Sequence, residues 1–501
     1  MEPESKRKGT MSSILTSKDH YVYDIESLER LREENLQSPI RLNLSGVYLE
    51  DSFLQELRKT IEHYAGYPKW HLVLPMEVGD IESFNRRSVI AEALHGDRFQ
   101  TLRLEDAAKG EAGNFDRKLD EIFQQVASSN FEGLELSMLL LSESTLQLIA
   151  KYLINGFSIS HLGFEKCVFE SIGTPSAMPS LALLAAGFMA NTTLESVLIS
   201  SDEIMEDREA AILLRGLISH PRLRRLEVEG SSCGPETLEA LHRIFAVASS
   251  MRTVTSQFQH LKLFYCPTFD VEDFVKLFHP SNVACAPTTT TTAMTMTTDT
   301  IQSSYWCPLE SLDLSSNKLR SADANLLLRT LLKSGQCCPN LERIMLNRNK
   351  IDDWSELTKD LQPARTNQEQ HNGTGAKNTC FPCPVRTLNL EYNPCCNFLL
   401  DVNMEEDHPI AVRMFKLLEA FPMLGFLGNC ENINQSVVHL LDWRRFGCGA
   451  MAQEDQEIPL PLWPLILAQS RQSDDELRRP ASVIFRLLQE HGAAIVRDPS
   501  E

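Results

Sequence analysis

One spacing of leucine and asparagine occurs twice between Cys307 and Ile351, and it limits the possible folds more than any other feature. The pattern LxLxxNxL begins at Leu312 and, with isoleucine in its first and last places, begins again at Ile344, 32 residues later. A leucine-rich run with helical spacing, from Leu326 to Leu332, lies between the two copies. Because alternate side chains of a strand share one face, the pattern predicts a repeating unit of a short strand followed by a helix.

One such unit cannot fold alone. It offers about six apolar side chains, each worth about 1.5–3 kcal/mol when buried. Ordering its backbone costs about 1–2 kcal/mol per residue, so each unit must stack on a neighbour. Helices are wider than strands, and a stack of these units therefore curves. The predicted fold class is an α/β solenoid, an arc or horseshoe with a concave parallel β-sheet and convex α-helices.

The strand pattern recurs along most of the chain and predicts about 12 repeats. The spacing between copies is mostly 28–35 residues, which leaves room for a full helix in each repeat. The first apolar positions of the predicted strands are Leu42, Leu72, Leu102, Leu134, Leu162, Val197, Leu226, Leu261, Leu312, Ile344, Leu388 and Leu424.

In six of the twelve predicted strands, an asparagine or cysteine lies five places after the first apolar position. Buried there, it can hydrogen-bond to the backbone of its own turn and of the neighbouring repeat. Its recurrence at one position of the repeat favours this structural interpretation over a catalytic asparagine. The predicted turn ladder consists of Cys167, Cys266, Asn317, Asn349, Asn393 and Asn429.

Three segments follow from the extent of the repeats. Residues 1–38 are predicted to be a disordered tail and an N-terminal capping helix. The repeat domain spans 39–430, and the polar insertions at 286–304 and 363–379 are predicted to be disordered loops. Residues 431–501 carry two amphipathic helical patterns and are predicted to form a C-terminal helical cap and tail.

Composition argues against several functions. The formal net charge of the 501 residues is −20, so nucleic acid and anionic membranes are poor partners. The sequence has no run of 18 apolar residues and no signal-peptide core, which favours the cytoplasm, or the nucleus if Lys6-Arg7-Lys8 is a targeting signal. The chain is expected to be monomeric and to need no cofactor.

The 13 cysteines are an odd number in a chain without an export signal, so free thiols are expected. A zinc site is the alternative for one group of four, but its spacing is not that of a standard site and no metal is predicted. This group is Cys380, Cys383, Cys395 and Cys396.

The long strand–helix units, over about residues 40–430, resemble the ribonuclease-inhibitor-like subfamily of leucine-rich repeat proteins. The closing segments LPLWPLIL and ASVIFRLLQEHG resemble the tail of diatom-type leucine-rich repeat proteins, which have no characterised function to transfer. The subfamily resemblance implies a protein that binds another macromolecule with its concave face.

The outward positions of the predicted strands are basic along one edge of the sheet and acidic along the other. One interpretation is an ordinary solvated sheet face. The functional alternative is a docking surface for a protein partner of mixed charge, with Leu198, Phe264 and Met345 as its apolar anchors. The predicted binding residues are Arg103, Glu105, Glu135, Glu165, Leu198, Arg225, Glu227, Glu229, Lys262, Phe264, Asp313, Arg343, Met345, Asn389 and Glu391.

The predicted function is a non-catalytic protein-interaction scaffold or adaptor. The alternative is a regulator of an enzyme, such as a GTPase-activating protein on the same repeat fold, which would need a positioned Arg or Asn at the rim of the arc. The sequence contains no GxSxG, Walker, kinase or HExxH motif, so an enzyme is not predicted.

Overall fold

The fold is that of a computed structural model, which describes residues 18–22, 24–33, 40–43, 51–63, 70–75, 99–105, 115–127, 131–170, 177–250, 258–278, 309–333, 338, 340–361, 384–396, 409–421 and 423–428. The chain divides into two compact units, Met1–Val247 and Ala248–Glu501, and each is treated by itself. The insertions predicted at 286–304 and 363–379 and the C-terminal cap predicted at 431–501 lie outside the described residues.

Strands and helices alternate along the first unit. Its strands are β1 (Lys18–Tyr21), β2 (Ile40–Asn43), β3 (Trp70–Pro75), β4 (Phe99–Glu105), β5 (Gly133–Ser137), β6 (Leu140–Leu141), β7 (His161–Phe169), β8 (Ser196–Met205) and β9 (Arg225–Ser231). Its helices are α1 (Ile25–Glu33), α2 (Asp51–His63), α3 (Phe115–Ala127), α4 (Glu143–Ile154), α5 (Ala177–Ala190) and α6 (Asp207–Arg215), and α7 (Pro235–Ser250) runs past the unit boundary.

The second unit repeats the plan with shorter strands. They are β10 (His260–Phe264), β11 (Ser311–Asp313), β12 (Arg343–Met345) and β13 (Thr387–Asn389). Its helices are α8 (Val271–Val275), α9 (Ser321–Lys333), α10 (Trp354–Leu357) and α11 (Pro409–Ala420).

The described strands of each unit pair in parallel, and strands that follow one another in sequence are mostly neighbours in the sheet. The first apolar residues predicted for the strands face one another across the sheet, as Leu102 does with Leu134 and Leu312 with Ile344. Their side chains are buried, whereas the residues between them are mostly half-exposed. Each strand thus places alternate side chains in the core, and this parallel sheet with alternating helices fits a repeat solenoid.

Local sequence accounts for where several helices begin. Ser142 accepts a hydrogen bond from the backbone of Thr145 at the start of α4, and Asp270 accepts two from the first turn of α8. These side chains satisfy N–H groups that have no partner inside the helix. The helices therefore start at fixed points after each turn.

The N-terminal segment contains a strand that sequence analysis missed. Residues 1–38 were expected to hold only a tail and a capping helix, and α1 does occupy Ile25–Glu33. Ahead of it, β1 pairs in parallel with β2, with Asp19 opposite Arg41. The sequence of β1, KDHY, lacks the pair of alternating apolar residues that indicated the other strands.

The last described strand position differs from the expected register. Phe426 is opposite Thr387, and Leu388 donates its backbone N–H to the carbonyl oxygen of Phe426 at 2.9 Å. Leu427, which is buried, therefore takes the place that sequence analysis gave to Leu424. Asn429, which sequence analysis assigned to the turn ladder by its offset from Leu424, lies outside the described residues.

Candidate functional site

The outward side chains of the strands form the candidate site, which we call the sheet face. In the first unit its central column contains Arg103, Glu135, Leu198 and Glu227, and these positions are paired in register through consecutive strands. Neighbouring strands lie about 4.8 Å apart, so long side chains at these positions must touch.

Arg103 is the centre of an ion-pair network in the first unit. Its guanidinium bonds to Glu165, lies 3.6 Å from Glu135 and donates a 2.8 Å hydrogen bond to the hydroxyl of Ser137. The side chains of Arg103 and Glu135 are 15% and 10% exposed. The ion pairs restrain these charged side chains, so this part of the sheet face presents ordered polar groups to solvent.

Two glycines make room for neighbouring side chains of the sheet face. A Cβ on Gly163 would lie 3.2 Å from Cγ of Glu135 and 3.4 Å from Nε2 of His161. A Cβ on Gly133 would lie 2.8 Å from the methyl group of Thr101. Side chains at these positions would displace the polar groups, and the glycines therefore serve packing on the face.

Three residues on adjacent strands form a chain of serine, histidine and glutamate. Nδ1 of His161 is 2.9 Å from the hydroxyl oxygen of Ser196, and Nε2 is 3.2 Å from Oε1 of Glu135. An acyl-transfer site would also need backbone N–H donors beside the serine. The N–H of Ser196 is instead bonded to the carbonyl of Ser160 at 2.9 Å. Among the described residues Nε2 of His161 has no hydrogen-bond partner, so the bond between His161 and Ser196 is what orients the imidazole on the face.

The rest of the first unit's face is also half-buried. Arg225 and Glu227 form an ion pair within β9. Leu198, Glu105 and Glu229 have intermediate exposure. Glu165 and Glu229, two of the predicted binding residues, do not project freely into solvent, since Glu165 is bound to Arg103 and Glu229 is half-buried.

The second unit's face is less charged. Lys262 lies over the ring of Phe264, with its ammonium nitrogen 5.2 Å from the ring centroid, as in a cation–π contact. Asp313, Met345 and Glu391 are half-exposed, Arg343 is exposed and Asn389 is buried. The predicted apolar anchors Phe264 and Met345 are therefore both partly accessible.

The described turn residues lie where the chain leaves each strand. Asn349 accepts from the backbone N–H groups of Asn317 and Leu319 at 2.8 and 3.1 Å, and donates to the carbonyls of Leu314 and Leu346 at 3.0 and 2.9 Å. Its amide thus links its own repeat to the preceding one.

Other members of the turn ladder make related bonds. Asn317 accepts from the backbone of Cys266 at 2.7 Å, and Asn393 donates to the carbonyl of Leu346 at 2.8 Å. At Cys167 a thiol takes the amide's place and donates to the carbonyl of Leu136 at 3.2 Å. Asn429 lies outside the described residues.

The described cysteines are free and buried. Burial raises the pKa of Cys167 to about 12, so this thiol stays protonated at neutral pH and is a poor nucleophile or metal ligand. Among the residues that the structure describes, no group of three His, Cys, Asp or Glu side chains could hold a metal ion. No helix in the described ranges is long and apolar enough to span a membrane.

Sequence analysis missed one recurring feature of the turns. The residue four places after the first apolar position of a strand has a positive φ in several repeats, and a non-glycine residue occupies it. These residues are Met138, Lys166, Tyr265, Ser316, Arg348 and Tyr392, with φ values of 53°, 51°, 52°, 62°, 57° and 58°. This conformation favours glycine, yet most of these side chains are large. The signal was present in the sequence as a fixed offset from the strand.

Comparisons with known proteins leave the family open. No protein-family model matches the sequence, and no curated protein matches it. A Bacteroides fragilis protein of known structure is 14% identical, with a TM-score of 0.32, over 57% of this chain and 70% of that one. A chain of the yeast Rad7 and Elc1 complex is 14% identical, with a TM-score of 0.28, over 66% of this chain and 83% of that one.

Proposed function

We propose that this chain is a non-catalytic scaffold or adaptor that binds a partner protein with its sheet face. It would do so as a leucine-rich repeat arc of the ribonuclease-inhibitor-like type, with about 12 repeats. The observation that carries the proposal is the alternation along the strands. In β9, for example, Leu226 and Val228 are buried whereas Arg225, Glu227 and Glu229 remain partly accessible.

The charges of this face suit recognition of a protein. Arg103 and Arg225 are already paired with glutamates, so a partner meets an ordered surface of mixed charge. Ordering side chains at an interface costs about 0.5–1.5 kcal/mol for each flexible one, and pairing in the free chain reduces that cost. Leu198, half-exposed among these charges, supplies apolar contact.

The test is partner capture by full-length protein that carries a photo-cross-linking amino acid. It is placed at Leu198 or Met345 on the sheet face, and at Gln147 or Lys359, which are exposed on or after helices, as controls. We expect the sheet-face positions to cross-link one recurrent partner peptide that mass spectrometry identifies, and the helix positions not to.

A substitution gives the complementary readout. Leu198→Arg should weaken capture of that partner at least tenfold while circular dichroism remains native, because it adds a charge to the centre of the interface. Gln147→Arg is the matched control and should leave capture unchanged. Cross-links from Gln147 or Lys359 alone would place binding on the helices and refute the proposal.

A further inference from the structure

Four exposed cations gather where the chain leaves β11 and β12. Lys318 and Arg320 follow β11, and Arg348 and Lys350 follow β12. These four residues are called the basic rim. Arg320 and Lys350 are direct neighbours through a parallel bridge, and the N–H of Lys350 bonds to the carbonyl of Leu319 at 2.8 Å.

The basic rim differs from the cations of the sheet face in having no acidic partners. Arg103 and Arg225 are paired with glutamates, whereas none of the four rim side chains forms an ion pair with a carboxylate of the described residues. In a chain of net charge −20, four exposed cations without an ion-pair partner among the described residues form a local basic patch.

The nearby carboxylates are already engaged by hydrogen bonds. Asp323 accepts from the backbone N–H of Arg320 at 2.8 Å, and Asp352 accepts from the hydroxyl of Ser321 at 2.9 Å. Asp353 accepts from an N–H in the first turn of α10 at 2.7 Å. These bonds fix the acids at the helix starts, where negative charge is favourable. The cations remain available to an external anion.

Aromatic side chains flank the basic rim. Tyr265 is 49% exposed and Tyr392 is 65% exposed, and the guanidinium carbon of Arg348 lies 5.3 Å from the ring centroid of Tyr392. Stacking leaves the outer edge of the guanidinium free to bond a carboxylate while the ring limits its motion.

The backbone adds a second observation. Lys318 and Arg348 have φ values of 62° and 57°, and Tyr265 and Tyr392 have values of 52° and 58°. The turn imposes this conformation on Tyr265, Arg348 and Tyr392, since Lys166 shares it at the same turn position in the first unit. A glycine or asparagine would adopt it at lower cost, so the turn explains the dihedral angle but not the choice of lysine, arginine and tyrosine.

We propose that the basic rim, with Tyr265 and Tyr392, docks an acidic peptide segment of a partner protein. The inference rests on the scaffold function and deepens it by stating the partner's chemistry. Aspartate or glutamate carboxylates of an extended segment pair with Lys318, Arg348 and Lys350, and an apolar side chain of the segment packs on Tyr392. Loops of adjacent parallel strands recur about every 4.8 Å, which suits a segment lying across them.

The test uses full-length protein and a fluorescent oligoglutamate peptide of about ten residues, with fluorescence anisotropy as the readout. We expect binding that weakens as salt rises, because the exposed charges are screened. The double substitution Arg348→Glu and Lys350→Glu should weaken binding at least tenfold. Tyr392→Ala should weaken it severalfold, because Arg348 loses the ring that limits its motion.

A matched control makes the same change of charge elsewhere in the second unit. Arg386→Glu with Lys359→Glu alters two exposed cations that are already paired, with Glu342 and Glu356. This variant should bind the peptide within twofold of wild type. Circular dichroism of both double variants should match that of the wild-type chain.

Three results would overturn the inference: no binding of oligoglutamate by the wild-type chain, equal losses in the two double variants, or tighter binding of a single-stranded oligonucleotide than of the peptide. The scaffold proposal has its own readout, because Leu198→Arg should leave oligoglutamate binding intact. Loss of partner capture in that variant with retained peptide binding would show that the two surfaces act separately.

Discussion

At the scale of single residues, the buried amides of Asn317, Asn349 and Asn393 make bonds that the sheet cannot make. Where a strand ends, its last backbone groups lose their ladder partners, and Asn349 supplies bonds to both its own turn and the preceding repeat. The sequence predicted the positions of Asn317 and Asn349 from spacing alone. The left-handed residue before each of them has an equally fixed offset from the strand, but its residue type gave no sign of the conformation, because the turn imposes it.

Asn349→Ala should lower the free energy of unfolding by about 1–3 kcal/mol, because buried backbone groups lose their partners. Urea denaturation monitored by circular dichroism measures the change. Asn347→Ala is the control: its side chain is half-exposed and accepts a 2.6 Å hydrogen bond from Ser315, so the cost should be about 0.5 kcal/mol. Equal costs for the two variants would contradict a special role for the turn amide.

At the scale of elements, the spacing of apolar residues located most of the strands. It gave the wrong register where two different apolar residues could each be the first of a strand. Leu424 and Leu427 lie three residues apart and either could begin a strand. Only the pairing of Phe426 with Thr387 shows that the second choice is correct. Sequence analysis missed strand β1 for the opposite reason, because its sequence KDHY contains no apolar pair. The segment is recognisable as a strand only from its parallel pairing with β2.

The packing of α6 against α5 requires a residue without a Cβ at Gly216, the residue after α6. A Cβ there would lie 2.3 Å from the carbonyl oxygen of Ala185 in α5, so α5 or α6 would have to move. Gly216→Ala should cost about 1–3 kcal/mol of stability in urea denaturation. Because the clash is with backbone atoms, adding Ala185→Gly should not restore the loss.

Gly156 supplies the comparison for that substitution. Its φ is +92°, and apart from its two chain neighbours no described residue has a heavy atom within 4 Å of a Cβ built on it. Gly156→Ala therefore tests backbone strain without crowding and should cost about 1–2 kcal/mol. A Gly216→Ala variant as stable as wild type would mean that the two helices pack less closely than these distances state.

At the scale of the whole molecule, the sequence predicted which side chains face outward but not how they pair. Alternation along each strand placed Arg103, Glu135 and Glu165 on one face. Arg103 joins both glutamates because the strand register brings them together. The rim cations Arg348 and Lys350 have no acidic partners among the described residues, and nearby acids such as Asp353 cap helices instead. The contacts of Arg103 join residues far apart in the chain, and no local pattern contains them.

In a chain of stacked repeats, a destabilising substitution should lower local stability mainly in its own repeat and in the neighbouring repeats. Leu346 is fully buried just after β12, and Leu346→Ala should cost about 2–5 kcal/mol through lost burial and a cavity. Hydrogen exchange followed by mass spectrometry should show the largest acceleration in β11, β12 and β13, and little change in β4 and β5 of the first unit. Met345→Ala, on the half-exposed sheet face next to it, should alter exchange far less. Equal acceleration in both units would instead mean that the chain unfolds as one cooperative body, and the nearest-neighbour description of this solenoid would have to be abandoned.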